Sequence, residues 1–279
     1  MRKKIYVRIF GGLGNQLFIY SCAKSLALQK EACLVLDSKS GFLKDVYQRS
    51  YKLDCFDIDD RRSGWAIFLY IFFRKRVPAI SKILKPGILF LRETDSRAFE
   101  KNVLNNSISD FLYLEGYWQS YRYFEKHESL IRQRLRITKK MSTRNVALAI
   151  ALKQKNSVAI HLRRIDYHPV LDFSYYENAI KHIVRHVQDP ELYIFSDDMA
   201  FCKSRFWYNL PVTFIDHNEH DEVADFYLMM HCHHFIIANS SFSWWAAWLG
   251  ENSDKKVVAP AAVHIGVKDY FYPSSWITI

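Results

Sequence analysis

The second half of the chain constrains the fold most. There, short apolar runs alternate with segments of helical spacing, and most of the runs end in polar residues. Ser157 to His161 leads into Arg163 and Arg164, Leu192 to Phe195 into Ser196-Asp197-Asp198, and Val212 to Ile215 into Asp216. Phe235 to Ala238 leads into Asn239-Ser240-Ser241, and Lys256 to Ala259 closes the series. Between the runs lie a helix opened by Ser174, with Glu177 at capping-box spacing, a helix from Asp221 to Cys232, and a Trp-rich helix ending at Gly250. Strands separated by helices pair in parallel, and such sheets bind ligands at the C-terminal edge of their strands. An α/β fold is therefore expected, with its site in the polar strand ends.

The N-terminus begins a second unit of the same kind. Ile5 to Phe10 reads as a strand, Gly11-Gly12-Leu13-Gly14 as a turn, and Asn15 to Lys30 as a helix, followed by a strand Ala32 to Leu36 that ends at Asp37. The glycines begin like a dinucleotide fingerprint, but Leu17 stands where the third glycine belongs, and only Asp37 lies at a plausible distance for the ribose role. The alternative is that they allow close backbone approach while Asn15 and Gln16 project amides into a cleft. From about residue 40 to 130 no elements can be assigned, and Asp57-Ile58-Asp59-Asp60 reads as a loop. The basic run Arg132 to Arg144 marks a boundary, giving an N-terminal domain 1–145 and a C-terminal domain 146–279, each Rossmann-like.

With 39 Lys and Arg against 29 Asp and Glu, the net charge of +10 suits an anionic partner such as a phosphorylated substrate, a membrane surface or nucleic acid. No RNA-binding signature accompanies the charge, so no nucleic acid is expected. The scattered Cys22, Cys33, Cys55, Cys202 and Cys232 fit reduced thiols in a cytoplasm, and no signal peptide is read. Trp65 to Phe73 is too short to span a bilayer, which takes about 20 apolar residues. With Arg74, Lys75, Arg76 and a second apolar run, Gly87 to Leu91, it reads either as a buried helix or as an interfacial one on an anionic leaflet.

Three groups carry candidate chemistry. His161, Arg163, Arg164 and Asp166 follow a strand, where one guanidinium can hold a phosphate and the other a structural carboxylate. Asn239, Ser240, Ser241 and Phe242 open a helix whose N–H groups suit phosphate oxygens. Asp225 can accept two hydrogen bonds from the N1 and N2 side of guanine. Each has an ordinary alternative: a surface ion pair, an N-cap and a first-turn acid favoured by the helix dipole. Trp244, Trp245 and Trp248 read as core residues. His217, His220, Asp221, His231, His233 and His234 lack H-E-x-x-H spacing and a cysteine pair, so no metal site is expected.

Taken together, GGLGNQLF at 11 to 18, YKLDCFDI at 51 to 58, LEGYWQSYRYF at 114 to 124, HLRRIDY at 161 to 167, FSDD at 195 to 198 and ANSSFSWWAAWL at 238 to 249 resemble the α-1,2-fucosyltransferases of glycosyltransferase family 11. The resemblance implies a GT-B fold of two Rossmann-like domains facing a cleft, GDP-β-L-fucose as donor, inversion without a metal or other cofactor, and a galactose 2-hydroxyl as acceptor. It implies that Arg163 holds the leaving diphosphate, His161 lies beside guanosine, and Ser240, Ser241 and Phe242 meet the phosphates. Asp225 then reads guanine, and Asn15 and Gln16 face the fucose and acceptor cleft. Ile165 departs from the family's glycine before the aspartate, and a β-branched residue does not readily adopt positive φ. Asp166, His168 and Asp172 are the candidate general bases, with Asp166 first. A galactose-terminated or lipid-linked glycan acceptor would place the enzyme in the cytoplasm, peripheral on the inner membrane. The main rival is a transferase of the same fold that uses another GDP-sugar or another acceptor hydroxyl.

Overall fold

The computed structural model describes residues 3–63, 88–95, 99–105, 111–165, 169–206, 208–218, 221–261 and 271–279. The segment Trp65 to Arg76 and the residues Asp166 and His168 lie outside the described residues. Two compact units divide at Thr138 and Lys139, ahead of the expected boundary at 145. The helix that begins at Thr143 explains the difference, because it is capped by Ser142 and packs within the second unit.

In the first unit β1 (Lys4–Arg8) leads through the glycine turn to α1 (Leu13–Gln29) and β2 (Cys33–Asp37). A short β3 (Arg61–Arg62), β4 (Ile88–Arg92), α2 (Lys101–Asn105), β5 (Phe111–Glu115) and α3 (Glu128–Arg134) complete it. Among the described residues the strands form a parallel sheet in the order β3-β2-β1-β5-β4. The run Gly87 to Leu91, read with Trp65 to Arg76 as either a buried or an interfacial helix, instead contributes Ile88 to Leu91 to strand β4, which pairs in register with β5.

Gly11 has φ of +78°, a conformation that favours glycine, and a Cβ there would lie 3.0 Å from Asn15 Nδ2. Asp37 does not take a ribose role. It is 1% exposed, and its carboxylate accepts from the N–H groups of Lys39 and Ser40, the Ser40 hydroxyl and the Tyr113 hydroxyl. The Asp57 to Asp60 loop is structural. Asp60 binds Lys24 Nζ at 2.7 Å and the Tyr20 hydroxyl at 2.9 Å, and Asp59 pairs with Arg134.

The second unit runs α4 (Thr143–Lys153), β6 (Ser157–Leu162), α5 (Phe173–His186), β7 (Glu191–Ser196), α6 (Met199–Arg205) and β8 (Val212–Phe214). It continues through α7 (Glu222–Met230), β9 (His234–Ile236), α8 (Ser241–Leu249), β10 (Val257–Ala259) and β11 (Ile277–Thr278). The sheet is parallel, in the order β11-β10-β9-β6-β7-β8. Period-2 alternation sends Val158, Ile160 and Leu162 into a core with Tyr176, Ile180 and Ile183 of α5. The tryptophans of α8 are buried, and Trp244 Nε1 donates to the Phe271 carbonyl at 2.8 Å.

The cap of α5 is Asp172, not Ser174. The Asp172 carboxylate accepts from the Ser174 N–H at 2.8 Å, and Ser174 lies inside the helix. Both residue types cap well, so sequence spacing alone did not separate them.

Candidate nucleotide-sugar site

Both sheets have a switch point, where the chain leaves one strand toward one side and returns on the other, and such points open a crevice beyond the strand ends. In the second unit the switch falls between β6 and β9, which pair directly. His161 stands near the end of β6, Arg163 and Arg164 follow it, and Asn239, Ser240 and Ser241 follow β9.

His161 is 6% exposed, and its Nδ1 has no hydrogen-bond partner among the described residues. Its ring packs on Phe242 with centroids 5.5 Å apart. Burial, aided by the guanidinium of Arg163, pushes its pKa down to about 3, so the imidazole is neutral at physiological pH. A buried polar atom without a partner is uncommon, and it leaves the His161 Nδ1 available to a ligand at this edge.

The two arginines divide their roles. Arg164 Nε donates to Asp198 Oδ2 at 3.2 Å, and its guanidinium lies 3.5 Å from the centre of the Phe201 ring. Arg163 Nε lies 3.2 Å from Asp197 Oδ2 and keeps 37% of its side chain exposed. Asp197 also accepts from the backbone N–H groups of Arg164 and Ile165, at 2.9 and 3.1 Å. One carboxylate thus fixes both the turn after β6 and the Arg163 guanidinium.

Across the switch point Ser240 caps α8, its Oγ accepting from the Phe242 N–H at 3.3 Å. The first turn of α8 presents N–H groups and the positive end of the helix dipole at this edge. Asn239 is buried, and its Nδ2 donates to the Pro169 carbonyl at 3.1 Å, so it ties the two loops together. Phe242 also meets Phe226, 5.3 Å away, which links α8 to the helix carrying Asp225.

Asp225 is half-buried in the first turn of α7, and desolvation raises its pKa to about 6 against the lowering effect of a hydrogen bond from Asn218. That bond, Asn218 Nδ2 to Asp225 Oδ1, is 2.9 Å. Asp172 differs as a candidate base: the hydrogen bond from Ser174 holds its carboxyl below the usual range, which weakens it as a proton acceptor.

In the first unit the switch falls between β1 and β5 and brings the glycine turn to the segment after Glu115. Gln119 Nε2 donates to Asn15 Oδ1 at 2.7 Å, and Phe10 packs on Tyr117 at 4.7 Å. Gln16 departs from its expected cleft role. It is fully buried, its Nε2 donates to the Gly11 and Ser50 carbonyls, and its Oε1 accepts from the Lys52 N–H. The reason is helix phase: Asn15 is half-buried at the turn while Gln16 points inward. Asp197, Asn218 and Gln119 were not singled out from sequence as site residues; the only signal for Asp197 was its place in the FSDD strand end.

Two parallel α/β sheets of this kind are shared with known fucosyltransferase structures. Fucosyltransferase NodZ from Bradyrhizobium superposes with a TM-score of 0.55 at 16% identity, over 88% of this chain and 93% of that one. FUT1 from Arabidopsis thaliana, in complex with GDP, gives 0.56 at 12% identity, over 92% of this chain and 70% of that one. In sequence, the chain is 30% identical to an Escherichia coli Alpha-1,2-colitosyltransferase over 92% of this chain and 91% of the relative. It is 28% identical to the Escherichia coli O-antigen biosynthesis glycosyltransferase WbnK, over 99% and 100%, and 29% identical to a Caenorhabditis elegans Galactoside 2-alpha-L-fucosyltransferase, over 95% and 76%. The profile of Glycosyl transferase family 11 matches residues 91–279. The chain belongs to glycosyl transferase family 11, as its motifs indicated, and is a glycosyltransferase.

Proposed function

We propose that the protein transfers L-fucose from GDP-β-L-fucose to the 2-hydroxyl of a terminal β-galactoside, with inversion and without a metal. The observation that carries this reading is the buried, unpartnered His161 Nδ1 beside Arg163 and the Ser240-capped helix at one switch point. In this reading the galactose hydroxyl attacks fucose C1 from the face opposite GDP. As the bond to the β-phosphate oxygen breaks, its electron pair passes to the diphosphate. Arg163 and the first N–H groups of α8 stabilise that growing charge. His161 bonds the nucleoside side of GDP as a neutral imidazole, and Asp225 accepts from guanine. The hydroxyl proton goes to a carboxylate, with Asp166 the proposed base.

The GT-B arrangement, with the acceptor taken by the N-terminal unit near Asn15, is part of this proposal. So is a lipid-linked glycan acceptor reached from the cytoplasmic side, which would suit the basic surplus. Among the described residues no helix is long and apolar enough to cross a membrane. A role in O-antigen assembly is supported by the name of the WbnK relative.

A second reading, transfer of a different deoxysugar from GDP, is favoured by the relative named for colitosyl transfer. A panel of GDP-sugars with lactose, following GDP release and the linkage formed, decides between them. GDP-fucose turnover with an α-1,2 product supports the first reading; turnover only with another GDP-sugar supports the second.

A further inference from the structure

We infer that Asn218, held in turn by Asn145, is a positioning residue that aims the Asp225 carboxylate at the base of the nucleotide. The inference rests on the reading of Asp225 as the guanine acceptor. Asn145 Nδ2 donates to Asn218 Oδ1 at 2.8 Å, and Asn218 Nδ2 donates to Asp225 Oδ1 at 2.9 Å. His217 Nε2 lies 2.8 Å from Asn145 Oδ1. These groups join α4, the loop after β8 and the first turn of α7.

The polarity of this chain follows from its end. An ionised carboxylate only accepts, so Asn218 must turn its Nδ2 toward Asp225. That leaves Asn218 Oδ1 for Asn145 Nδ2, and Asn145 Oδ1 for His217, whose Nε2 must carry the hydrogen. Every member then donates toward Asp225. The far end is anchored: Asn145 is 3% exposed, and its N–H is capped by Ser142 Oγ at 3.2 Å.

A cavity of about 490 Å³, lined by Asn145, His217, Asn218, Lys140 and Arg144 among others, borders the network. Side chains on open space are not held by packing, so Asn218 needs Asn145 to keep its amide turned to the carboxylate. A carboxylate has about four lone-pair sites. With one on Oδ1 taken by Asn218, the other on Oδ1 and those on Oδ2 remain to receive two guanine N–H groups. Among the described residues Oδ2 has no hydrogen-bond partner.

The test measures GDP and ADP affinities by calorimetry for wild type, Asn218→Ala, Asn218→Asp, Asn145→Ala and Asp225→Ala. Asn218→Ala should weaken GDP about tenfold and leave ADP unchanged, as loss of one charge-assisted hydrogen bond implies. Asn145→Ala should shift affinity the same way by less, and Asn218→Asp, which sets an acceptor against the carboxylate, by more. In the Asp225→Ala background Asn218→Ala should have no further effect. In turnover assays Asn218→Ala should raise KM for the donor with kcat near wild type. An unchanged GDP preference, or an equal loss without Asp225, overturns the inference. Carboxyl NMR titration supplies a readout without nucleotide, since Asn218→Ala should raise the Asp225 pKa further. A clear NMR shift from Asn218→Ala, in a protein whose wild type binds ADP as well as GDP, would overturn the base-reading role of Asp225. An absent NMR shift would overturn the positioning role of Asn218 alone.

Discussion

Arg163, after β6, and Asp197, after the neighbouring β7, lie 3.2 Å apart, and the same carboxylate accepts the N–H groups of Arg164 and Ile165. The pair makes the turn and the guanidinium a single unit, so the group proposed to hold the diphosphate is oriented before any ligand arrives. In the proposed metal-free transfer, stabilisation of the leaving diphosphate would come from such preorganised donors aimed at the developing charge.

Replacing Arg163 with Ala should lower kcat by roughly 10²–10³-fold, the cost of removing one preorganised donor. Arg163→Lys should recover little, because an ammonium cannot form the planar, two-point contact of a guanidinium. Arg164→Ala should act differently. Its partners are Asp198 and the Phe201 ring, so it should lower the thermal midpoint while KM for the donor changes less. Steady-state kinetics with GDP-fucose and lactose, beside thermal melts, separate the two; near-wild-type turnover of Arg163→Ala would sink the assignment.

Gln16→Leu should destabilise the first unit by about 2–4 kcal/mol, since it strands the Gly11 and Ser50 carbonyls and the Lys52 N–H, all bonded by this one buried amide. Donor affinity of the folded fraction should stay unchanged. A denaturant titration checks the first statement, and nucleotide binding below the unfolding transition checks the second. Asn15→Ala should reverse the pattern, with little loss of stability and a higher acceptor KM.

Gln16 also shows where sequence reading stops. The strand, glycine turn and helix were legible because apolar periodicity and glycines are local signals. The inward role of Gln16 was not, since its partners Ser50 and Lys52 lie on a loop far along the chain. Strands β4 and β5 were missed for a related reason. ILFLR and FLYLE are short, nearly continuous apolar runs without alternation, and periodicity alone does not separate such a run from a buried helix segment; FLYLE is buried along most of its length, whereas Leu89 of the edge strand β4 is exposed. The second unit was more legible because its strands end abruptly in Arg163, Asp197 and Ser240, polar residues that mark the sheet edge. The relay through Asn145 and Asn218 left no trace in local pattern, because its members come together only when α4 packs on α7.

Lys255 should be a strong stabiliser of the second unit. Its Nζ donates to the carbonyls of Ala247, Trp248 and Gly250, at 2.8, 3.3 and 2.6 Å, where the C-terminus of α8 leaves carbonyls without helical partners. Lys255→Met should cost about 1–3 kcal/mol. Gly250→Ala should be comparable, because a Cβ there would lie 2.7 Å from Phe235 Cζ in the core. Chemical denaturation of each variant checks both, and an unchanged midpoint for Lys255→Met would show that water replaces the ammonium at no cost.

The pKa of Asp225 sets opposite pH trends for binding and stability. In the proposed reading only the ionised Asp225 carboxylate accepts two guanine hydrogen bonds, and burial raises its pKa to about 6, with Asp221 adding to the rise and Asn218 opposing it. Affinity for GDP-fucose should therefore be flat above about pH 7 and fall toward tenfold per unit as pH drops well below 6. The sugar diphosphate is a diester without the phosphate ionisation near 6 that would confuse the same measurement with GDP. Stability runs the other way. A carboxyl whose pKa is higher folded than unfolded binds more protons in the native state between about pH 4 and 6, so its contribution to the unfolding free energy rises as pH falls through that window. Asp225→Asn should remove both effects, leaving binding weak and nearly independent of pH between 5 and 8. Calorimetry across that range in wild type and variant is the check, and the same slope in both would show that another group titrates.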